Sequence, residues 1–309
     1  MSTLKVKKIF ILYGGDSEER EVSLNSGAAC YKALEDDGYK KLTLIDTKGD
    51  GILKVVKDKP DVCLLALHGG GGEDGTIQGF LDSLNIPYTG SGLVASALAF
   101  DKQITKIHFD ACGISTPDWR MASDEDEQHL DELKDLLPVV VKPARGGSTI
   151  GLTIVKDIKD YMKAVKLAKK YSENVLVEEF IEGKELTFAV VCGSVLPAIW
   201  IKPVSGFYDY KSKYTKGATE YLFKLGIADK KLGELNDLAL DAYDAVGCEG
   251  VARVDVIYTG KKAYVLEVNT IPGMTATSLV PKAAAEVGLS FAQLLEIMLK
   301  DALGRAKLR

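Results

Sequence analysis

The chain has 309 residues, 46% of them hydrophobic and 27% charged, with a formal net charge of −5. Such a length exceeds one ordinary small core and predicts two or three lobes, and the composition excludes a disordered chain. The mildly acidic balance gives no global reason to bind nucleic acid, and no stretch of membrane-spanning length is free of charge, so the cytoplasm is the expected location.

Residues 9–12 form an apolar run that predicts a buried strand ending at Gly14-Gly15, and residues 22–34 have helical spacing. Further buried strands are predicted over 42–45 and 62–67, the second running into the glycines Gly69 to Gly72. Strands alternating with helices imply an α/β fold with a parallel sheet, whose ligands gather at the carboxyl ends of the strands. A boundary is expected near residues 90–101. Beyond it, strands over 138–142, 150–155 and 174–180 and a helix over 158–171 read as α+β. Strands are then predicted over 186–192, 195–202, 251–258 and 264–268, with helices over 232–246 and 291–303. Residues 206–221 are polar and tyrosine-rich, long for a connection, and read as a mobile lid. The acidic run 124–127 reads as a solvated helix start. The five cysteines include no C-x-x-C pair and read as reduced structural thiols.

Four stretches carry candidate chemistry. The first is Arg253-x-Asp255 followed, across the turn Thr259-Gly260-Lys261-Lys262, by Glu267-x-Asn269. Period-2 alternation puts Arg253 and Asp255 on one face and brings Asp255 roughly opposite Glu267. Two carboxylates and an amide oxygen make a hard-oxygen site suited to Mg²⁺ on nucleotide phosphates, although the spacing alone also fits a salt-bridged surface face. Second, Lys142-Pro-Ala-Arg-Gly-Gly-Ser-Thr-Ile-Gly151 offers a lysine and backbone N–H groups to phosphates, or else a tight hairpin with a solvated lysine. Third, Gly70-x-Gly72-x-x-Gly75 has the dinucleotide spacing but lacks the acid expected about 20 residues on, so it reads as a substrate loop. His68 just before it is either a ligand-facing or a structural histidine. Fourth, Glu178-Glu179-Phe180-Ile181 and Glu185 suit an adenine amine and ribose hydroxyls, although taken alone Glu178 and Glu179 fit a solvated strand end better.

In this order the motifs resemble the ATP-grasp superfamily, and within it the D-alanine–D-alanine ligases. The resemblance runs nearly end to end, from Gly14-Gly15-Asp-Ser-Glu-Glu19-Arg-Glu-Val-Ser to Met274-Thr-Ala-Thr-Ser278-Leu279. His68-Gly, Gly72-Glu-Asp-Gly-Thr, Tyr88-Thr-Gly-Ser, Phe207-Tyr-Asp-Tyr-Lys-Ser-Lys213-Tyr214 and Glu267-Val-Asn269-Thr-Ile-Pro-Gly273 lie between. It implies three lobes, at residues 1–96, 97–184 and 185–309, with ATP held between two antiparallel sheets. The implied reaction joins two D-alanines through a D-alanyl phosphate for peptidoglycan precursors, with two Mg²⁺ ions (or Mn²⁺) as cofactor and a homodimer as the expected assembly.

The implied roles fall residue by residue. Asp255, Glu267 and Asn269 hold metal, and Arg253 and the Gly273 N–H stabilise the oxyanion. Glu19 binds the first D-alanine and joins Ser148 and Tyr214 in a hydrogen-bonded set. His68 lies near that substrate, and Lys213 faces phosphate. Lys102 and Lys142 contact ATP phosphates. Glu178, Glu179, Phe180 and Ile181 border the adenine, and Glu185 takes the ribose. Ser278 and the Leu279 N–H hold the second carboxylate. Tyr214 favours D-alanine as acceptor, with D-serine or D-lactate as the alternative. The sequence departs from the common family pattern in Ala144-Arg-Gly-Gly, where many members have Ser-Arg-Glu-Gly, and at Ile271, where some have Ser, and neither departure removes a proposed catalytic side chain.

Overall fold

The computed structural model describes residues 3–204, 217–275 and 277–307. Its first sheet is built from β1 (Lys8–Tyr13), β2 (Lys41–Asp46) and β3 (Val62–Leu65), in the order β2-β1-β3 and all parallel. The central strand is apolar at every inner position because both of its faces are covered. Ile9 and Ile11 pack with Val62 and Leu64 against Cys30 and Leu34 of the helix Arg20–Asp36 and against the terminal helix Phe291–Arg305. Phe10 and Leu12 point the other way, onto Ile45, Cys63, Leu65, Ile77 and Leu81.

The second sheet holds β4 (Trp119–Met121), β5 (Val139–Pro143), β6 (Thr153–Val155) and β7 (Val175–Glu179), antiparallel in the order β4-β7-β5-β6. Tyr161, Ala164, Val165 and Ala168 of the helix Tyr161–Ala168 close one face of it. The third sheet runs β11-β10-β8-β12-β13. Its strands are β8 (Lys184–Val191), β10 (Ile199–Pro203), β11 (Thr219–Leu222), β12 (Val251–Tyr258) and β13 (Ala263–Asn269), with β9 (Ser194–Val195) attached to β8. The helix Asp229–Val246 packs Leu235, Ala239, Ala242, Tyr243 and Val246 against Phe188, Val254 and Val256 of this sheet.

Several expectations need correcting. The strand expected over 195–202 is two strands, because Pro197 lacks the N–H that a continuous ladder needs. The strand expected from residue 150 starts only at Thr153, since Ser148 (φ 53°) and Thr149 (φ 63°) take left-handed turn conformations before it. The helix expected over 158–171 is a 3₁₀ turn, Ile158–Asp160, followed by the helix Tyr161–Ala168. Of the presumed lid, Thr219–Leu222 pairs with β10 as β11, and 205–216 lie outside the described residues. In the acidic run, Asp126 is buried and bonded to Arg120 and to the Tyr161 hydroxyl. Helices at Thr76–Ser83, Leu93–Phe100, Lys102–Cys112 and Leu279–Glu286 were not anticipated. Among the described residues no helix is long and apolar enough to cross a membrane. The cysteines are free, with Cys30, Cys63 and Cys248 buried and Cys112 and Cys192 exposed.

Candidate active site

Two cavities adjoin where the sheets face one another. The larger, about 350 Å³, is lined by Glu19, His68, Glu73, Ser148, Arg253, Asn269, Gly273, Ser278 and Leu279 among others. The smaller, about 130 Å³, is lined by Lys142, Glu178, Glu179, Phe180, Ile181 and Glu185. Lys102, Gly146, Gly147, Ser148, Asp255 and Glu267 line both.

The hairpin β12–β13 lies at this junction. Its ladder sets Asp255 opposite Glu267 and Arg253 opposite Asn269, with a register shift between Asp255 and Val256. Asp255 is only 6% exposed, so the hairpin face is not a solvated salt-bridge surface. Its carboxylate accepts from Arg253 Nε at 2.9 Å and Nη2 at 2.8 Å, and from Thr187 Oγ1 of β8 at 2.6 Å. The two-point guanidinium bond holds Arg253 along the strand. Among the described residues no group of three or more His, Cys, Asp and Glu side chains is disposed to hold a metal ion. The oxygens available are those of Asp255 and Glu267 with the Asn269 amide, a set that fits a hard cation completing its shell with ligand oxygens and water.

Glu19 sits at the start of the helix Arg20–Asp36, where an anion is favoured by the helix dipole. The Ser148 hydroxyl donates to Glu19 Oε1, tying the loop after β5 to the first sheet's helix. A Cβ at Gly147 would stand 2.8 Å from Glu19 Oε2, so a side chain there would push the Glu19 carboxylate aside. Lys213 and Tyr214, which the sequence adds to this region, lie outside the described residues. Glu73, in the glycine-rich stretch after β3, carries no role in the family resemblance but lines the larger cavity. It accepts from the Gly69 N–H at 2.9 Å, and its withdrawal from water, with Glu19 close by, pushes its carboxyl up to about 8.

His68 is 5% exposed, and its Nε2 lies 3.0 Å from Ser26 Oγ. Ser26 in turn accepts from the Met274 N–H at 3.4 Å, next to Gly273. Burial drives the imidazole down to about 4 from an ordinary 6.5. The unfolded chain therefore takes up this proton first, and His68 costs stability as pH falls from about 6.5 towards 4. Urea denaturation is expected to show a loss of about 2 kcal/mol from this residue between pH 7.5 and 5. The measurable outcome is a flatter pH slope in His68→Gln than in the parent, and equal slopes would refute it.

Lys102 opens the helix Lys102–Cys112, capped by the Asp101 carboxylate. Its ammonium donates to the Gly146 carbonyl at 2.6 Å and lies 3.8 Å from Glu267. Lys142, at the end of β5, is 8% exposed rather than solvated and meets Glu178 Oε2 at 2.5 Å. Glu178 itself is 3% exposed, so the solvated strand end favoured for this pair holds only for Glu179. Burial alone would raise the Glu178 carboxyl, but Lys142 and Lys106 outweigh it and hold the group below its ordinary range. Lys106 was not anticipated at all. Ser278 precedes the helix Leu279–Glu286, and its Oγ accepts from the Thr275 N–H at 3.0 Å and faces Gly273, where a Cβ would lie 3.0 Å away.

Comparison with known proteins places these features in context. Residues 50–91 match the family model described as D-ala D-ala ligase N-terminus, and residues 108–300 the one described as D-ala D-ala ligase C-terminus. The D-alanine–D-alanine ligase of Syntrophotalea carbinolica is 48% identical over 299 residues, covering 97% of each chain. The crystal structure of D-alanine–D-alanine ligase from Bacillus anthracis complexed with ATP matches with a TM-score of 0.86 at 34% identity, over 98% of this chain and 99% of that one. The VanG D-Ala:D-Ser ligase from Enterococcus faecalis matches with a TM-score of 0.79 at 30% identity, over 97% of this chain and 99% of that one.

Proposed function

The chain belongs to the D-alanine–D-alanine ligase family, and we propose that its two adjoining cavities are the amino-acid half and the nucleotide half of that reaction. It is an ATP-dependent ligase that joins two D-alanines, with release of ADP and phosphate, for peptidoglycan precursor synthesis. The observation that carries the division of labour is that, among the described residues of the proposed set, Lys102, Ser148, Asp255 and Glu267 border both cavities. A phosphoryl group passing from nucleotide to carboxylate must cross that junction.

In this reading Glu178, Glu179, Phe180, Ile181 and Glu185 receive the adenosine, and Lys102 and Lys142 the phosphates. Asp255, Glu267 and Asn269 hold magnesium. When bound, Mg²⁺ neutralises the phosphate oxygens during transfer. Glu19, positioned by Ser148, accepts from the first D-alanine's ammonium beside His68. Ser278 and the Leu279 N–H receive the carboxylate of the second. Its amine attacks the acyl phosphate, and Arg253 with the Gly273 N–H stabilises the oxyanion that forms. Tyr214 and Lys213 complete the set by resemblance. The same reading includes lobes meeting near residues 96 and 184, a homodimer, and a cytoplasmic location.

Coupled phosphate release tests it. Release from ATP is expected only with D-alanine and Mg²⁺ together, and D-alanyl-D-alanine is expected as the main product when D-serine or D-lactate compete. Release without D-alanine but with another amino-acid pair would overturn the substrate assignment.

A further inference from the structure

Lys106 is one of the most deeply buried polar side chains in the molecule, 1% exposed, and neither cavity touches it. It lies one turn beyond Lys102 on the helix Lys102–Cys112, on the same side of that helix. Its ammonium has three N–H donors. The ammonium donates to Thr116 Oγ1 at 2.6 Å and to the Pro117 carbonyl at 3.4 Å, and it forms an ion pair with Glu178 Oε1 at 2.6 Å. The Thr116 hydroxyl donates onward to the Val265 carbonyl of β13 at 2.8 Å. Lys106 therefore acts on a nucleotide through its protein partners, of which Glu178 and Pro117 line the smaller cavity.

A single cation, Lys142, would already balance Glu178. The second leaves the cluster with one excess positive charge in a buried place, where apolar packing would be the cheaper construction. What two ammoniums achieve is to keep Glu178 an anion, and an anionic carboxylate only accepts hydrogen bonds. The smaller cavity's purine then meets a group that welcomes an amino donor and repels a carbonyl oxygen. Resting on the nucleotide-pocket reading above, we propose that Lys106 is the positioning residue that sets purine selectivity, holding Glu178 ionised and aimed so that a 6-amino purine nucleotide is taken over a 6-oxo one. Burial brings the Lys106 ammonium down to about 8, with Glu178 opposing, so it is charged near neutrality. Without it, a buried carboxyl facing one cation protonates more readily, and its O–H then serves a 6-oxo purine.

The test compares kcat/KM for ATP and ITP in D-alanine-dependent phosphate release by the full chain. In Lys106→Met the ITP:ATP ratio is expected to rise about tenfold. The ATP loss should fall on KM for ATP and leave KM for D-alanine unchanged. Thr116→Val removes one anchor and keeps both charges, so it is expected to shift the ratio in the same direction by less. It also decides the matter if Lys106→Met fails to melt cooperatively. Glu178→Gln, whose amide can donate, is expected to raise the ratio as well. An unchanged ratio in folded Lys106→Met, or in Thr116→Val if the first variant does not fold, overturns the role of Lys106. An unchanged ratio in Glu178→Gln overturns the nucleotide-pocket assignment itself.

Discussion

Replacing Arg253 with alanine is expected to lower kcat by about 10²–10³ while KM for ATP changes little. The guanidinium is held in place before any substrate arrives. Two of its nitrogens bond Asp255, which Thr187 fixes from the neighbouring strand, and β12 is an interior strand paired on both sides, with β8 and β13. A preorganised donor of this kind needs no reorganisation when negative charge develops on the reacting carbonyl, so its worth is realised in the transition state. Arg253→Lys is expected to recover only part of the loss, since an ammonium cannot bond Asp255 at two points and reach the oxyanion together. Separate kcat and KM values, with a thermal melt to show that β12 still folds, provide the check. A kcat within about threefold of the parent would mean that Arg253 merely balances Asp255.

The hairpin carrying Arg253 was legible in outline, since alternation with period 2 assigns the faces and the short turn at Thr259-Gly260-Lys261-Lys262 sets Tyr258 opposite Ala263. Its detailed pairing was not: regular pairing from that turn would put Asp255 opposite Leu266, and the register shift between Asp255 and Val256, which no local rule gives, brings Glu267 opposite it instead. Buried parallel strands were plain, since β1 and β3 are unbroken apolar runs. Other features depend on partners distant in the chain. Glu178 looked like a solvated strand end, because Lys106 and Lys142, 72 and 36 residues earlier, cannot be assigned to it from spacing. Lys106 itself sits in Lys-Gln-Ile-Thr-Lys-Ile-His, a stretch whose polarity suggests exposure and which follows a presumed lobe boundary. Glu73 was hidden among glycines. Its unusual affinity for a proton comes from partial burial and from Glu19, which the fold brings near from 54 residues away. Resemblance supplied most of the roles that spacing could not, and the cavities show which of those residues share a space.

Glu267→Gln should cost more than any change in the nucleotide pocket, with a fall in kcat/KM of about 10²–10⁴. The substitution keeps shape and volume and removes one negative charge. Two accounts of Glu267 predict different patterns. If it only counterbalances Lys102, whose ammonium is 3.8 Å away, the variant frees that cation for the phosphates. ATP would then bind as well or better, and the defect would be the same at every Mg²⁺ concentration. If Glu267 is a metal ligand, the amide is a poorer donor to a hard cation. Half-maximal activity would then move to higher Mg²⁺, and raising Mg²⁺ or substituting Mn²⁺ would recover part of the loss. The position of Glu267 opposite Asp255, at the junction of both cavities, favours the second pattern. Titrating Mg²⁺ at saturating ATP in parent and variant separates the two, and an unshifted Mg²⁺ midpoint would remove Glu267 from the metal site and leave it a partner of Lys102.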